Sequence, residues 1–160
     1  MLFRSSFSMD GRTFLVVSRD DSSWRYLFQL RSADDGRILT EFRWNQANDA
    51  VTNATATELY VATPDGVSII DMANKTVDSN RFRTRRGITR LVLSPDGRTL
   101  ATWVRDEGIY LWNVRTGEEL FPVMITQAHI DQMRFTVDSL LQFRKNDHGI
   151  LSFAIFRGSK

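Results

Sequence analysis

The chain has 160 residues, of which 42% are hydrophobic, 25% charged and 11% aromatic, with nine Gly, three Pro and no Cys. That composition fits one soluble globular domain and excludes a disordered, collagen-like or coiled-coil chain, together with disulfides, thiolate metal sites and cysteine nucleophiles. Net charge is only +2, from 21 basic and 19 acidic residues, too little to argue for nucleic acid; no apolar run nears the roughly 18 residues of a membrane helix and no signal-like stretch opens the chain, so a cytoplasmic location is expected.

A first strand is predicted over residues 2–8. Asp10-Gly11, within Phe7-Ser8-Met9-Asp10-Gly11-Arg12-Thr13-Phe14, marks a hairpin turn, because such a turn needs a positive φ that glycine adopts without steric cost. Trp24-Arg25-Tyr26-Leu27-Phe28-Gln29 reads as a later strand of the same unit. Thr52-Asn53-Ala54-Thr55-Ala56-Thr57 stands where the next such turn is due but lacks Asp-Gly, and Gly66-Val67-Ser68-Ile69-Ile70-Asp71 follows as a strand. The most regular stretch predicts strands over 88–94, 100–104, 109–114 and 119–125, broken at Asp96-Gly97, Asp106-Glu107-Gly108 and Thr116-Gly117. Phe135-Thr136-Val137-Asp138-Ser139-Leu140 holds a shortened turn, and Gly149-Ile150-Leu151-Ser152-Phe153-Ala154 is the last strand.

The strands beginning at Gly66, Gly108 and Gly149 recur with a period of about 42 residues, which defines four units at about 2–46, 47–86, 87–127 and 128–160. In the third strand of the best unit Ile109 and Leu111 lie on one face and Tyr110, Trp112 and Val114 on the other. A strand apolar on both faces must be covered on both sides, as when small sheets stack face to face. No window shows sustained helical periodicity, so the expected class is all-β.

Ser94-Pro95-Asp96-Gly97-Arg98-Thr99-Leu100-Ala101-Thr102, followed by Gly108-Ile109-Tyr110-Leu111-Trp112-Asn113 and Arg115-Thr116-Gly117, resembles a WD-repeat unit of a β-propeller. The resemblance is close over residues 87–120, and its spacing covers nearly the whole chain. It implies a four-bladed propeller segment acting as a rigid, non-catalytic scaffold for protein-protein interaction. On the family's pattern Trp112 is a core position, matched by Phe153 in the last unit. Asp71 keeps the family's Asp, with Gln29, Asn113 and Ala154 in its place elsewhere, and Ala128-His129 replaces the opening Gly-His pair. The family's Asp-His-Ser-Trp network is thereby broken, and the units are expected to be held mainly by packing. Four units, the last without an outermost strand, imply part of a larger propeller, a self-associating half-ring or a closed four-bladed ring, and an isolated chain that is not a well-behaved monomer.

The inventory for chemistry is thin. His129 is expected to hydrogen-bond inside its unit and His148 to lie in a polar turn; without a third ligand at metal-binding spacing, no metal or cofactor is expected. Asp20-Asp21, Asp34-Asp35 and Asp106-Glu107 fall in predicted turns, where Asp bends the backbone through its own side chain. Phosphate-cradling glycine motifs and the nucleophile elbow are absent from the sequence, so no catalytic residue is assigned and the chain is not expected to be an enzyme.

The sharpest local feature is the cluster Arg81, Arg83, Arg85, Arg86 and Arg90. Its arginines could guard an edge strand, with Arg81 and Arg83 pointing outward around Phe82, or form a basic recognition surface for acidic peptides or, less readily, nucleic-acid phosphates. Trp103 and Trp112 are expected in the core, whereas Trp24 and Trp44 stand at turn or edge positions suited to an aromatic anchor for a partner. The expected partners are other proteins, including further propeller blades or a second copy, and no membrane.

Overall fold

In a computed structural model, described over residues 4–8, 10–20, 25–82, 87–123, 130–138, 140–147, 150–152 and 156–157, the chain is all-β. The first sheet runs β1 (Arg4–Phe7), β2 (Thr13–Asp20), β3 (Arg25–Ser32) and β4 (Ile38–Asn45); the second β5 (Asp49–Thr52), β6 (Glu58–Thr63), β7 (Gly66–Asp71) and β8 (Val77–Asp78). The third runs β9 (Ile88–Leu93), β10 (Thr99–Val104), β11 (Gly108–Asn113) and β12 (Glu119–Val123). The fourth holds β13 (Ile130–Phe135), β14 (Leu140–Asp147), β15 (Ile150–Ser152) and β16 (Phe156–Arg157). All four sheets are antiparallel. In the fourth, β15 and β16 share one register along β14, with Asn146 opposite Leu151 and Leu141 opposite Phe156, so together they take the third-strand position.

Two recurring turns set this rhythm. Between the first and second strands, the Ser8 and Ser94 hydroxyls donate to Asp10 and Asp96 at 2.6 Å and accept the N–H of Thr13 and Thr99 at 3.1 and 2.9 Å. Gly11 and Gly97 close these turns at φ 69° and 70°. In the second sheet Asn53 fills the serine's place, its Oδ1 accepting the Thr57 N–H at 2.9 Å, and Ala56 adopts φ 55° where the others have glycine. The turn survives there without Asp-Gly because an amide side chain supplies the same acceptor.

The other turn joins the third and fourth strands. Asp71 Oδ1 accepts the N–H groups of Ala73 and Asn74, and Asn113 Oδ1 those of Arg115 and Thr116, while Ser32 Oγ accepts the Asp34 N–H. These three residues hold one structural position, which corrects the sequence alignment. In the first sheet that position belongs to Ser32, not Gln29. In the fourth, Arg157 stands opposite Leu140 as Asn113 stands opposite Thr99, so Arg157 replaces Ala154 and Phe156 takes the register of Trp112. Phe153 itself lies outside the described residues, as does His129. The shift of three residues arises because β2, β3 and β14 have eight residues where β6, β7, β10 and β11 have six.

The sheets bury their facing sides in chain order. Leu15, Phe28 and Leu30 of the first pack against Leu59, Val61 and Ile70 of the second. Tyr60, Ala62 and Ile69, pointing the other way from the same strands, pack against Leu91, Leu100 and Trp112 of the third. Ala101, Trp103 and Leu111 then meet Ile130, Leu141 and Phe143 of the fourth. Strand alternation sends successive side chains to opposite faces, which explains why β7 and β11 are apolar on both. At about 1.5–3 kcal/mol for each large apolar side chain buried, this stacking is the main source of stability. Polar ties add register between sheets: Asp49 Oδ2 accepts the Leu91 N–H at 3.1 Å, and Asn48 Nδ2 donates to the Ile88 carbonyl at 2.8 Å.

Candidate functional site

The arginine-rich segment does not form one surface where it is described. The outermost strand of the second sheet ends at Asp78, so Arg81 and Phe82 lie beyond it rather than on it. Phe82 is buried between the second and third sheets, with its ring centroid 6.5 Å from Tyr60 and 6.4 Å from Trp112. Arg81 is turned back on the protein: its Nε donates to Asp78 Oδ2 at 3.0 Å, and Nη1 lies 4.0 Å from Glu58 Oε1. Expected as an outward guard or a recognition cation, Arg81 is instead a half-buried partner of two carboxylates. Arg90 sits within β9, opposite Trp103 on the far edge strand of the third sheet, whereas Arg81 lies against the turn between β11 and β12. Arg83, Arg85 and Arg86 fall outside the described residues, so a basic surface would have to rest on them.

Trp112, Asp71 and Asn113 have structural surroundings. Trp112 is buried, and its Nε1–H donates to Thr102 Oγ1 at 2.9 Å, a paired donor in a closed core. Backbone and side-chain N–H groups of Asn74 hold the Asp71 carboxyl below its ordinary range. Burial, then the hydrogen bond to Glu58, pushes the Tyr60 phenol well above its ordinary value. Trp103 is buried at the boundary with the fourth sheet; Trp24 lies outside the described residues. Among the described residues no three His, Cys, Asp or Glu side chains are grouped to hold a metal, and no helix is long and apolar enough to cross a membrane.

One concave feature stands out. A cleft of about 460 Å³ opens between β4 of the first sheet and the β6–β7 turn of the second, with Phe42, Trp44, Pro64, Val67, Ser68 and Ser79 in its wall. Phe42 and Trp44 are half-buried, and their rings stack with centroids 5.8 Å apart. Thr40, Phe42 and Trp44 alternate with exposed Glu41, Arg43 and Asn45 along β4, an edge strand, so the aromatic pair faces the second sheet. Trp44 thus keeps the edge position read from the sequence. No local sequence pattern marks the cleft, because its walls come from residues 42–46, 63–68 and 79, far apart in the chain. Asp78 supplies its cause: its Oδ1 accepts the N–H groups of Asn80 and Arg81, each at 3.1 Å, and this turn takes the chain out of the sheet after a two-residue β8.

Compared with protein-family models and with curated proteins, the chain matches none.

Proposed function

We propose that the chain is a WD-repeat-like β-propeller segment of four blades and serves as a non-catalytic platform for protein-protein interaction. The observation that carries this is the consecutive face-to-face burial of four antiparallel sheets, each about one sequence period from the next. Repeated radial packing of four-stranded sheets is the propeller's building rule. The recurring serine-aspartate turn and the Asx turn at Asp71 and Asn113 support the same reading, because they place the same strand ends in successive sheets. Fold alone does not assign a role. The interaction role draws its support from the edge strand β4 with its aromatic pair, and from a chain whose singled-out carboxylates and Trp112 are engaged in turns and packing.

The test has two parts. Electron microscopy of the purified protein, alone and with any co-purifying chain, is expected to show wedge-shaped sheets around an axis; a sandwich or barrel would overturn the propeller. The full chain used as bait is expected to capture a protein whose purified form then binds it directly in calorimetry. If no captured protein binds directly, the platform role falls.

A further inference from the structure

We propose that the cleft between β4 and the β6–β7 turn takes a proline-rich segment of a partner protein in polyproline II conformation. Its rings pack on Phe42 and Trp44, and its carbonyls accept hydrogen bonds from the indole N–H of Trp44 and the carboxamide of Gln46. This rests on the platform reading and names the class of partner, while its geometry involves only the first two sheets.

The first sheet turns four aromatic rings toward the second. Tyr26 stands opposite Trp44 and Phe28 opposite Phe42 on neighbouring strands. Within each strand the rings stack, with centroids 6.4 Å apart in β3 and 5.8 Å apart in β4. The wall they meet is built from small residues. Ala47 and Ala50 share a narrow pocket with Tyr26 and Phe28, and Gly66, Ser68 and Ser79 share the cleft with Phe42 and Trp44. Ile70 of β7 packs against the first sheet, and by strand alternation Ser68 and Gly66 continue its row with a hydroxyl and with no side chain. Large rings set against so little bulk leave the sheet boundary unfilled at this end, where the rest of it is closed. Phe28 is buried in the core, but Phe42 and Trp44 stay half-buried and keep apolar area to offer.

The cleft also holds hydrogen-bond donors with nothing to donate to. Among the described residues, the indole N–H of Trp44 and the carboxamide of Gln46 make no hydrogen bond within the chain, and neither is sealed from water. An indole nitrogen can only donate, and Trp112 shows the alternative, its N–H paired with Thr102. A ligand for this wall must therefore bring acceptors along with apolar surface. A polyproline II segment does both: it has no internal hydrogen bonds, so its carbonyls are free, and proline brings no N–H that needs a partner. Such segments dock in aromatic-lined grooves with little conformational entropy to lose. Recognition of this kind uses no sheet edge, so the strand pairing around the cleft stays as it is. The volume of about 460 Å³ falls within the roughly 300–1,000 Å³ of ligand sites. Among the described residues its charged lining is one Arg43 and one Asp65, which favours neither a polyanion nor a polycation. A phosphate-rich ligand would need several cations converging on it.

The probe is a pair of phage-displayed nonapeptide libraries selected on the full chain, one with two fixed prolines three positions apart and one without proline, with affinities measured by fluorescence anisotropy. Proline-containing peptides are expected to bind one-to-one, to outcompete the proline-free ones, and to lose at least about tenfold when their prolines become alanine. They should also shift one indole N–H resonance, the one that Trp44→Phe removes from the spectrum. Trp44→Phe keeps a ring and deletes the donor. Gln46→Gly deletes the amide at a position whose φ of 60° glycine adopts without strain. Each is expected to weaken binding about three- to tenfold, the size of one hydrogen bond, with circular dichroism showing the fold retained. Ser79→Tyr, at an exposed position, fills the cleft and should weaken binding at least about tenfold. If one of the three variants does not fold, the other two decide. The proposal is overturned if no proline-containing peptide saturates, if proline-free peptides bind as tightly, or if the folded variants bind as the parent does. It is equally overturned if the cleft is filled by a second copy, so that Ser79→Tyr yields a monomer from an associated parent. A partner protein whose affinity ignores Ser79→Tyr removes this proposal while leaving the platform role intact.

Discussion

The backbone carbonyl of Arg81 lies against the α-carbon of Gly117, where a Cβ atom would stand. This contact seats the segment leaving the second sheet on the β11–β12 turn of the third, and it holds Phe82 in the core between them. Gly117 also sits at φ 72°, a conformation that costs an L residue about 1–2 kcal/mol. Gly97 has nearly the same φ, 70°, but an added Cβ there meets nothing. Gly97→Ala is therefore expected to lose only the conformational increment. Gly117→Ala should lose that plus the clash, about 3 kcal/mol or more in total. Urea titrations of the two variants read the difference; equal losses would show that the Arg81 contact adds nothing.

Trp112 and Thr102 form a buried pair through the 2.9 Å bond from the indole N–H. Thr102→Val keeps the volume but leaves that donor without its partner, and is expected to cost about 1–3 kcal/mol. Replacing Trp112 by Phe as well removes the orphaned donor. The double variant should then be less destabilised than the sum of the single ones, by about 1 kcal/mol, in a denaturant double-mutant cycle. Simple additivity would mean that the hydrogen bond contributes no coupling.

Acid should loosen the turns before the sheets. The Asp10 carboxyl is lowered by the Ser8 hydroxyl and then by the Arg12 N–H, and Asp71 by the N–H and then the side chain of Asn74. A depressed native pKa gives stability that is present above the ordinary value of 3.8 and is lost as pH falls through the native value. Asp71→Asn is expected to keep its turn, because Asn113 makes the equivalent bonds with an amide. The variant should match the parent at neutral pH and show a shallower fall in Tm toward about pH 2. An unchanged acid limb would exclude Asp71 from the transition.

On its side away from the core the first sheet carries an apolar patch beside the polar group Gln29, Arg31 and Glu41. Phe7 is 68% exposed, its ring lies 5.5 Å from Phe14, and Val16 and Leu27 share that side by strand alternation. Every other apolar face described at a sheet boundary is covered by a neighbour, and an uncovered one favours association. Light scattering of the purified chain is expected to show species above 18.4 kDa, with Phe7→Gln shifting the distribution toward the monomer. A monodisperse 18.4 kDa particle at high concentration would refute this.

The arginine segment shows how far local pattern carries. Five arginines between residues 81 and 90 read as one basic feature. In the fold Phe82 is drawn inward, Arg81 is neutralised by Asp78 and Glu58, and Arg90 is placed on another strand. The alignment of the outer repeats failed for a related reason. A period of about 42 residues locates each unit, but the hairpin arm length decides which residue reaches the turn, and the eight-residue arms of the first and fourth sheets moved that position from Gln29 to Ser32 and from Ala154 to Arg157.

By itself the sequence determined the all-β class, the rhythm of strands, the Asp-Gly turns and the burial of Trp103 and Trp112, because strand alternation and turn chemistry are local properties written in neighbouring residues. Tertiary structure alone decided which sheet faces cover one another, which charges are already paired and where a cleft opens. Those depend on residues far apart in the chain: Glu58 meets Arg81, and Trp44 shares a wall with Ser79, only after the sheets have stacked.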